Sequence, residues 1–302
     1  MIRTNIPVRR LLWYAATAAL ILFPAVIYSA QRPARMPLHY AANGNFGGDG
    51  SYLPQEAGFN LADVSSAGQL EQLKNGVRGL VWIGQCNGAD EVFLKAVQPF
   101  IGNPRVYGFY LADDPDPRGI ETGKLSPPCT ADQLKAESDW IHQHAPGTKT
   151  FITLMNLSPS PQAPSFANSY NPANTHIDLF GIAPYPCRSG LSGCDFDIIA
   201  RYVAAARAWG IPSNQIVPLY QAFGGGDWTD GLGGRYLLPT AEQERKMLDR
   251  WREQIGAPEF DAVYSWGTQQ GDAALESAPE LKSVFSSYNH AEWSARSFEK
   301  GL

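Results

Sequence analysis

From residue 58 onward, short runs of apolar and β-branched residues alternate with longer amphipathic stretches, several of which open on helix-start signals. This is the pattern of repeated βα units around a parallel sheet. The apolar runs predict seven strands, at 58–61, 78–84, 106–111, 150–155, 177–182, 216–220 and 262–266, and 37–42 can supply the eighth that closing a barrel needs. Helices are expected near 66–75, 89–101, 130–145, 195–209, 240–255 and 273–287. Thr130, Asp195 and Thr240 stand at helix starts as caps, and Thr240 with Gln243 matches a capping box. Only the link 156–176, rich in Ser, Pro and Asn, carries no helix signal. Eight strands with interleaved helices in about 270 residues predict an α/β fold of the (β/α)8 TIM barrel type. A doubly wound sheet would be expected to show a Gly-rich phosphate fingerprint after its first strand, and the Gly run Phe223–Gly226 lacks the Lys and Ser/Thr of a phosphate loop.

The pattern before residue 31 is different. Arg3, Arg9 and Arg10 precede an uncharged stretch, Leu11–Ala30, which reads as an export segment. Ser29 and Ala30 offer small residues before a cut, Tyr28 is large for the position three before it, and the stretch is long enough to span a bilayer. A cleaved signal peptide and a retained membrane anchor both remain open. The expected division is therefore 1–30 as signal or anchor and 31–302 as the barrel domain, placed in a secreted or periplasmic setting with membrane contact only through residues 11–30. The chain has 24 basic and 29 acidic side chains, a formal charge of −5; without residues 1–30 it carries about −8. No basic run accompanies this acidity, so nucleic acid is not an expected partner. Cys86, Cys129, Cys187 and Cys194 all follow the export segment, and an even count in an oxidising compartment predicts disulfides. Cys187 and Cys194 close a short loop, which leaves Cys86 for Cys129.

In such a barrel the chemistry sits where strands end, and the densest set of acids follows the strand at 106–111. Asp113, Asp114 and Asp116 fall within four positions there, with Pro115 expected to hold Asp114 extended. Neighbouring carboxylates raise one another's pKa, and one of them can then keep a proton and act as a general acid. The plain reading of Asp-Asp-Pro-Asp-Pro is a solvated turn.

The strand ending Gly108-Phe-Tyr-Leu-Ala-Asp-Asp-Pro115 resembles the strand-four motif of (β/α)8 glycoside hydrolases, which ends in Asn/Asp-Glu-Pro. Trp266-Gly267 is similar to the Trp that floors the sugar site in those barrels, and Gly58-Phe-Asn60 and Ala183-Pro-Tyr-Pro186 fit the same layout. The resemblance spans roughly residues 37–290 and implies an exported enzyme that cuts a polysaccharide or oligosaccharide. It puts Asp114 in the place of the acid/base Glu and Asp113 in that of its neighbour. Strand seven departs from the pattern: Leu219-Tyr-Gln221 stands where retaining members carry a nucleophilic Glu, and an amide cannot replace it. Asp63, Asp227 and Asp272 are the candidates for a second carboxylate.

Sugar faces stack on flat rings while hydroxyls need planar polar partners. The expected substrate-binding residues are Asn60, Tyr185, Gln221, Asp227, Trp228 and Trp266, whereas Trp82 and Tyr110 lie inside apolar strands and read as core. No cofactor is expected, no metal site because no His pair stands at ligand spacing, and no Ser-His-Asp triad because no Gly-x-Ser-x-Gly elbow occurs. The missing strand-seven Glu also permits a second reading, a barrel that binds glycan without cutting it.

Overall fold

A computed structural model describes residues 37–291 apart from 118–119, 122–123, 126–127, 156–169, 191–192 and 230–233. The expected export segment lies outside the described residues; among those described, no helix is long and apolar enough to cross a membrane. Eight parallel strands close into a barrel: β1 (Leu38–Ala41), β2 (Leu61–Val64), β3 (Arg78–Trp82), β4 (Val106–Ala112), β5 (Lys149–Leu154), β6 (Leu179–Ile182), β7 (Ile216–Gln221) and β8 (Phe260–Tyr264). Each strand pairs with the next in sequence, and β1 pairs with β8 through Leu38 opposite Phe260 to close the circle. The outer layer is α1 (Ala67–Gln72), α2 (Glu91–Val97), α3 (Ala131–His144), α4 (Pro172–Thr175), α5 (Asp197–Ala208), α6 (Ala241–Gln254) and α7 (Pro279–Asn289). After β1 the crossover is a 3-10 turn, Pro54–Ala57, in place of a helix.

Alternation along the strands sorts apolar side chains into two cores. One fills the barrel, with Tyr40, Leu61, Leu80, Tyr107, Tyr110, Phe151, Leu219 and Phe260; the other lies between strands and helices. In β4 the alternation breaks, since Tyr107 and Tyr110 both point inward while Val106, Phe109 and Leu111 point outward. The pairing shows why: Gly79 opposes Val106 and Leu80 opposes Gly108, so β4 carries an extra residue there. Gly108 makes this possible, because a Cβ at that position would stand 2.3 Å from the Lys149 carbonyl oxygen.

Two strand positions differ from the expected ones. Gly58 adopts φ +80° as the left-handed cap of the 3-10 turn, so β2 begins only at Leu61. β8 runs from Phe260 to Tyr264 and ends before Trp266. Among the caps, Thr130 and Thr240 form complete capping boxes. Asp195 does not cap; α5 starts after Phe196 without a side-chain cap, and Asp195 pairs with Arg201 at 2.5 Å. The helix α4 lies in the link that carried no helix signal, built by an Asn171–Asn174 capping box with Pro172 at its first position. Both expected disulfides are present, Cys86–Cys129 and Cys187–Cys194.

Two glutamates are fully buried on the inward faces of helices. Glu137 accepts the backbone N–H groups of Asn87 (2.9 Å) and Gly88 (3.1 Å), and burial nevertheless raises its pKa to about 8. Glu244 has no hydrogen-bond partner for either carboxyl oxygen among the described residues, and burial pushes it well above the ordinary glutamate range. A carboxyl raised by folding holds a proton that the unfolded chain releases, so its contribution is complete below the unfolded pKa and fades as pH rises through the folded one. Stability is therefore expected to decline from about pH 5 to pH 8 and beyond. Glu137→Gln keeps an acceptor for the two N–H groups and removes part of that decline, roughly 4 kcal/mol at pH 8, as measured by denaturant unfolding across that range.

Candidate active site

The barrel interior is filled up to the level of Tyr110 and Phe151, and above them the strand ends and their loops enclose a cavity of about 630 Å³. This is the C-terminal face, where the loops of a (β/α)8 barrel carry its chemistry. Tyr40 from β1, Asp63 from β2, Trp82 from β3, Asp113 and Asp114 after β4, Thr153 from β5, Tyr185 after β6, Leu219 from β7 and Tyr264 from β8 all line it. Trp228 contributes a further ring from the loop after β7, and the loop after β1 contributes Asn43 through Phe46.

The extra residue in β4 sets the phase that brings Tyr110 inward beneath the acids. Its hydroxyl donates to Asp113 Oδ1 at 2.8 Å, and the Thr153 hydroxyl donates to the same oxygen. Asp114 follows in the left-handed region at φ +45°, not extended as Pro115 led us to expect, and its backbone N–H donates to the Thr153 hydroxyl at 3.2 Å. Asp is among the side chains that tolerate this region, so the turn is compatible with the acid it presents. Thr153 thus braces both residues from the neighbouring strand.

Asp63 reaches the same cavity from β2. Its Oδ2 accepts the backbone N–H of Asn43 at 3.2 Å, its own N–H donates to Asn45 Oδ1 at 2.9 Å, and the Tyr40 hydroxyl donates to its carboxylate. Burial raises its pKa, and the negative charge of Asp113 adds to the rise. The acids also push up the Tyr40 and Tyr110 hydroxyls, which burial has already raised, so both stay protonated donors.

The walls are aromatic. Trp82, with 39% of its surface exposed, stands edge-on to Tyr110 at 4.7 Å between ring centroids. Across the cavity Tyr185, Trp228 and Tyr264 form a contiguous set, with centroid separations of 5.7 Å for Trp228–Tyr264 and 6.3 Å for Tyr185–Trp228. Trp82 was expected in the core; its position as the last residue of β3 carries it past the packed layer.

Of the residues singled out from sequence, the cavity gathers Asp113, Asp114, Tyr185 and Trp228, together with Asp63. Asn60 is at the opposite end of the barrel: β2 starts one residue after it, and its amide binds the Pro37 carbonyl oxygen and the His39 N–H. Trp266 is 2% exposed and packs against Phe59 in the outer core, because β8 ends two residues earlier and Tyr264 takes the inward position. Gln221 is wholly buried, and its amide is consumed by the N–H and carbonyl of Cys187 and the carbonyls of Phe223 and Leu237. Asp227 is exposed at the surface opposite Arg235 (3.3 Å), outside the cavity lining. Asp272 is buried under the Gly226 N–H (2.5 Å), and a Cβ on Gly226 would collide with it. Tyr40 and Tyr264 were missed; the inward parity of β1 and β8 would have found them once the strand ends were known.

No family model matches the chain, and no curated protein matches it. Solved structures do. A chitinase from Bacteroides thetaiotaomicron superposes with a TM-score of 0.55 at 9% identity, over 85% of this chain and 98% of that one. A fungal endo-β-N-acetylglucosaminidase of glycosyl hydrolase family 18 gives 0.53 at 13% identity, over 84% and 98%. The spore cortex-lytic enzyme SleL from Bacillus cereus gives 0.53 at 10% identity, over 82% and 73%. At these identities the likeness is one of fold, that of a (β/α)8 barrel.

Gln221 satisfies four backbone groups from three loop positions, so its role is to hold the rim together. Gln221→Ala is expected to lower stability by about 2–4 kcal/mol, measured by chemical unfolding, because the Cys187 N–H and the carbonyls of Phe223 and Leu237 lose this partner inside the protein.

Proposed function

We propose that the protein is an exported glycoside hydrolase acting on a polysaccharide or oligosaccharide, with Asp114 as general acid and Asp113 as its supporting carboxylate. One observation carries this reading: acids from two separate strand ends, Asp63 on β2 and Asp113–Asp114 after β4, open into one aromatic-walled cavity. A barrel built only to bind sugar needs the rings and planar polar groups but not opposed acids.

Asp114 donates the proton to the leaving glycosidic oxygen from a turn fixed by Thr153. Asp113, held beside it by two hydroxyl donors, stabilises the positive charge that develops on the sugar ring. β7 presents Leu219 to the cavity where a nucleophilic carboxylate would stand in the double-displacement scheme, so that scheme has no partner on this strand. Asp63 is the second carboxylate. Its raised pKa makes it the better proton acceptor, suited to take a proton from an attacking water. Trp82, Trp228 and Tyr264 supply faces for sugar rings. The two disulfides support an oxidising compartment, in keeping with export. The likeness to barrels named as chitinases makes polymers of amino sugars the first class to test.

The test is cleavage of a panel of polysaccharides by the full chain, followed through reducing ends. Asp114→Asn is expected to lower kcat by about 10²–10⁴-fold. An inverted first anomer by NMR identifies water activated by Asp63, and a retained anomer removes Asp63 from that role. Retained binding of a glycan with no cleavage of any would overturn the hydrolase in favour of a carbohydrate-binding barrel.

A further inference from the structure

None of the described Lys, Arg and His side chains lines the cavity. Three carboxylates do. Among the described residues, Asp63 and Asp113 accept hydrogen bonds from hydroxyls and a backbone N–H, not from a cation. These donors orient the carboxylates without cancelling their charge. Around them stand the faces of Trp82, Tyr110, Trp228 and Tyr264, which favour a cation over an anion. A cleft lined by one sign of charge between low-dielectric walls focuses its field on whatever enters, and the net charge of −5 adds to it at long range.

From this lining we propose that the glycan taken by the cleft carries free amino groups: a deacetylated or partly deacetylated amino-sugar oligomer, with a protonated amine seated against Asp63 and Asp113 between the aromatic faces. The proposal rests on the glycan-cleaving reading for the kind of ligand, but its own content is the charge. A primary ammonium fits this setting in three respects. It donates up to three hydrogen bonds, which suits carboxylate oxygens that already accept from one side. It is small enough to lie between two rings. It also relieves the repulsion between Asp63 and Asp113, which adds to the rise that burial gives the Asp63 carboxyl. A bare metal ion is the other cation that carboxylates attract, but among the described residues no group of three or more His, Cys, Asp or Glu side chains is arranged to hold one. An anionic glycan would meet the like charges of Asp63 and Asp113.

Calorimetric binding to the full-length Asp114→Asn protein tests this without interference from turnover, using a glucosamine hexamer, an N-acetylglucosamine hexamer and a galacturonate hexamer as probes. We expect the amine hexamer to bind at least about tenfold more tightly than the acetylated one. The preference should shrink as salt is raised towards about 0.5 M and as pH is raised past the pKa of the amine. The galacturonate hexamer should show no binding. Replacing Asp63 and Asp113 by Asn in the same background should bring the amine and acetylated hexamers to equal affinity, while circular dichroism confirms the fold. Equal or tighter binding of the acetylated hexamer, binding of the galacturonate hexamer, or no binding of the amine hexamer overturns the proposal. The two readings fail separately: tight binding of the amine hexamer with no cleavage of it by the wild-type chain ends the hydrolase and leaves the charge assignment standing, whereas cleavage of acetylated polymers alone does the reverse.

Discussion

Keeping carboxylates at the lip of an apolar barrel governs how the upper half of this molecule is built. An acid half withdrawn from water must be held by donors, and here the donors come from residues whose other half belongs to the packed interior. Tyr110 packs against Phe151 below and donates to Asp113 above. Tyr40 packs against Phe260 and donates to Asp63. Thr153, one turn of the pleat above Phe151, serves both members of the Asp113–Asp114 pair. The phase of β4 follows from the same need, since without the extra residue before Gly108 the Tyr110 ring would face the helices and Asp113 would lose its main donor.

This arrangement explains which parts of the molecule were legible in the sequence. The strands were readable because each is a run of apolar residues bounded by polar turns, and the barrel followed from their number. The two strands read in the wrong place, β2 and β8, are those where apolar residues continue past the true boundary. Phe59 is apolar but serves the outer core below β2, and Trp266 is apolar but turns outward after β8. Those displacements account for Asn60 and Trp266, because a site residue in this fold is defined by its distance from a strand end. Asp113 and Asp114 stood out as charge at the end of an uncharged strand. Asp63 gave a weaker signal, since a lone acid before Ser65 and Ser66 reads equally as a helix cap, a task that Ser66 performs.

Gln221 shows a different limit. Its sequence position, at the end of β7, is where a sugar-binding amide would stand, and nothing local distinguishes that role from the one it has. The decision is made by residues far away in the chain, the backbones at Cys187 and Leu237, which converge on it from two loops. Glycines decide the neighbouring loop in a similar way: Gly224, at φ +147°, lies where a Cβ would strike the Leu237–Leu238 backbone, and Gly226 lies against Asp272.

The two disulfides flank this rim from either side. Cys86–Cys129 joins the segment after β3 to the segment before α3, and Cys187–Cys194 closes the loop after β6. Together with the buried Glu137 beneath Asn87 and the Gln221 amide beneath Cys187, they tie down loops that in a looser barrel would settle only around a ligand. The entropy of ordering these segments is therefore lost when the chain folds and is absent from the binding equilibrium. A long, floppy polymer is itself costly to immobilise, and a receptor already held in shape leaves that cost as the main one to be overcome.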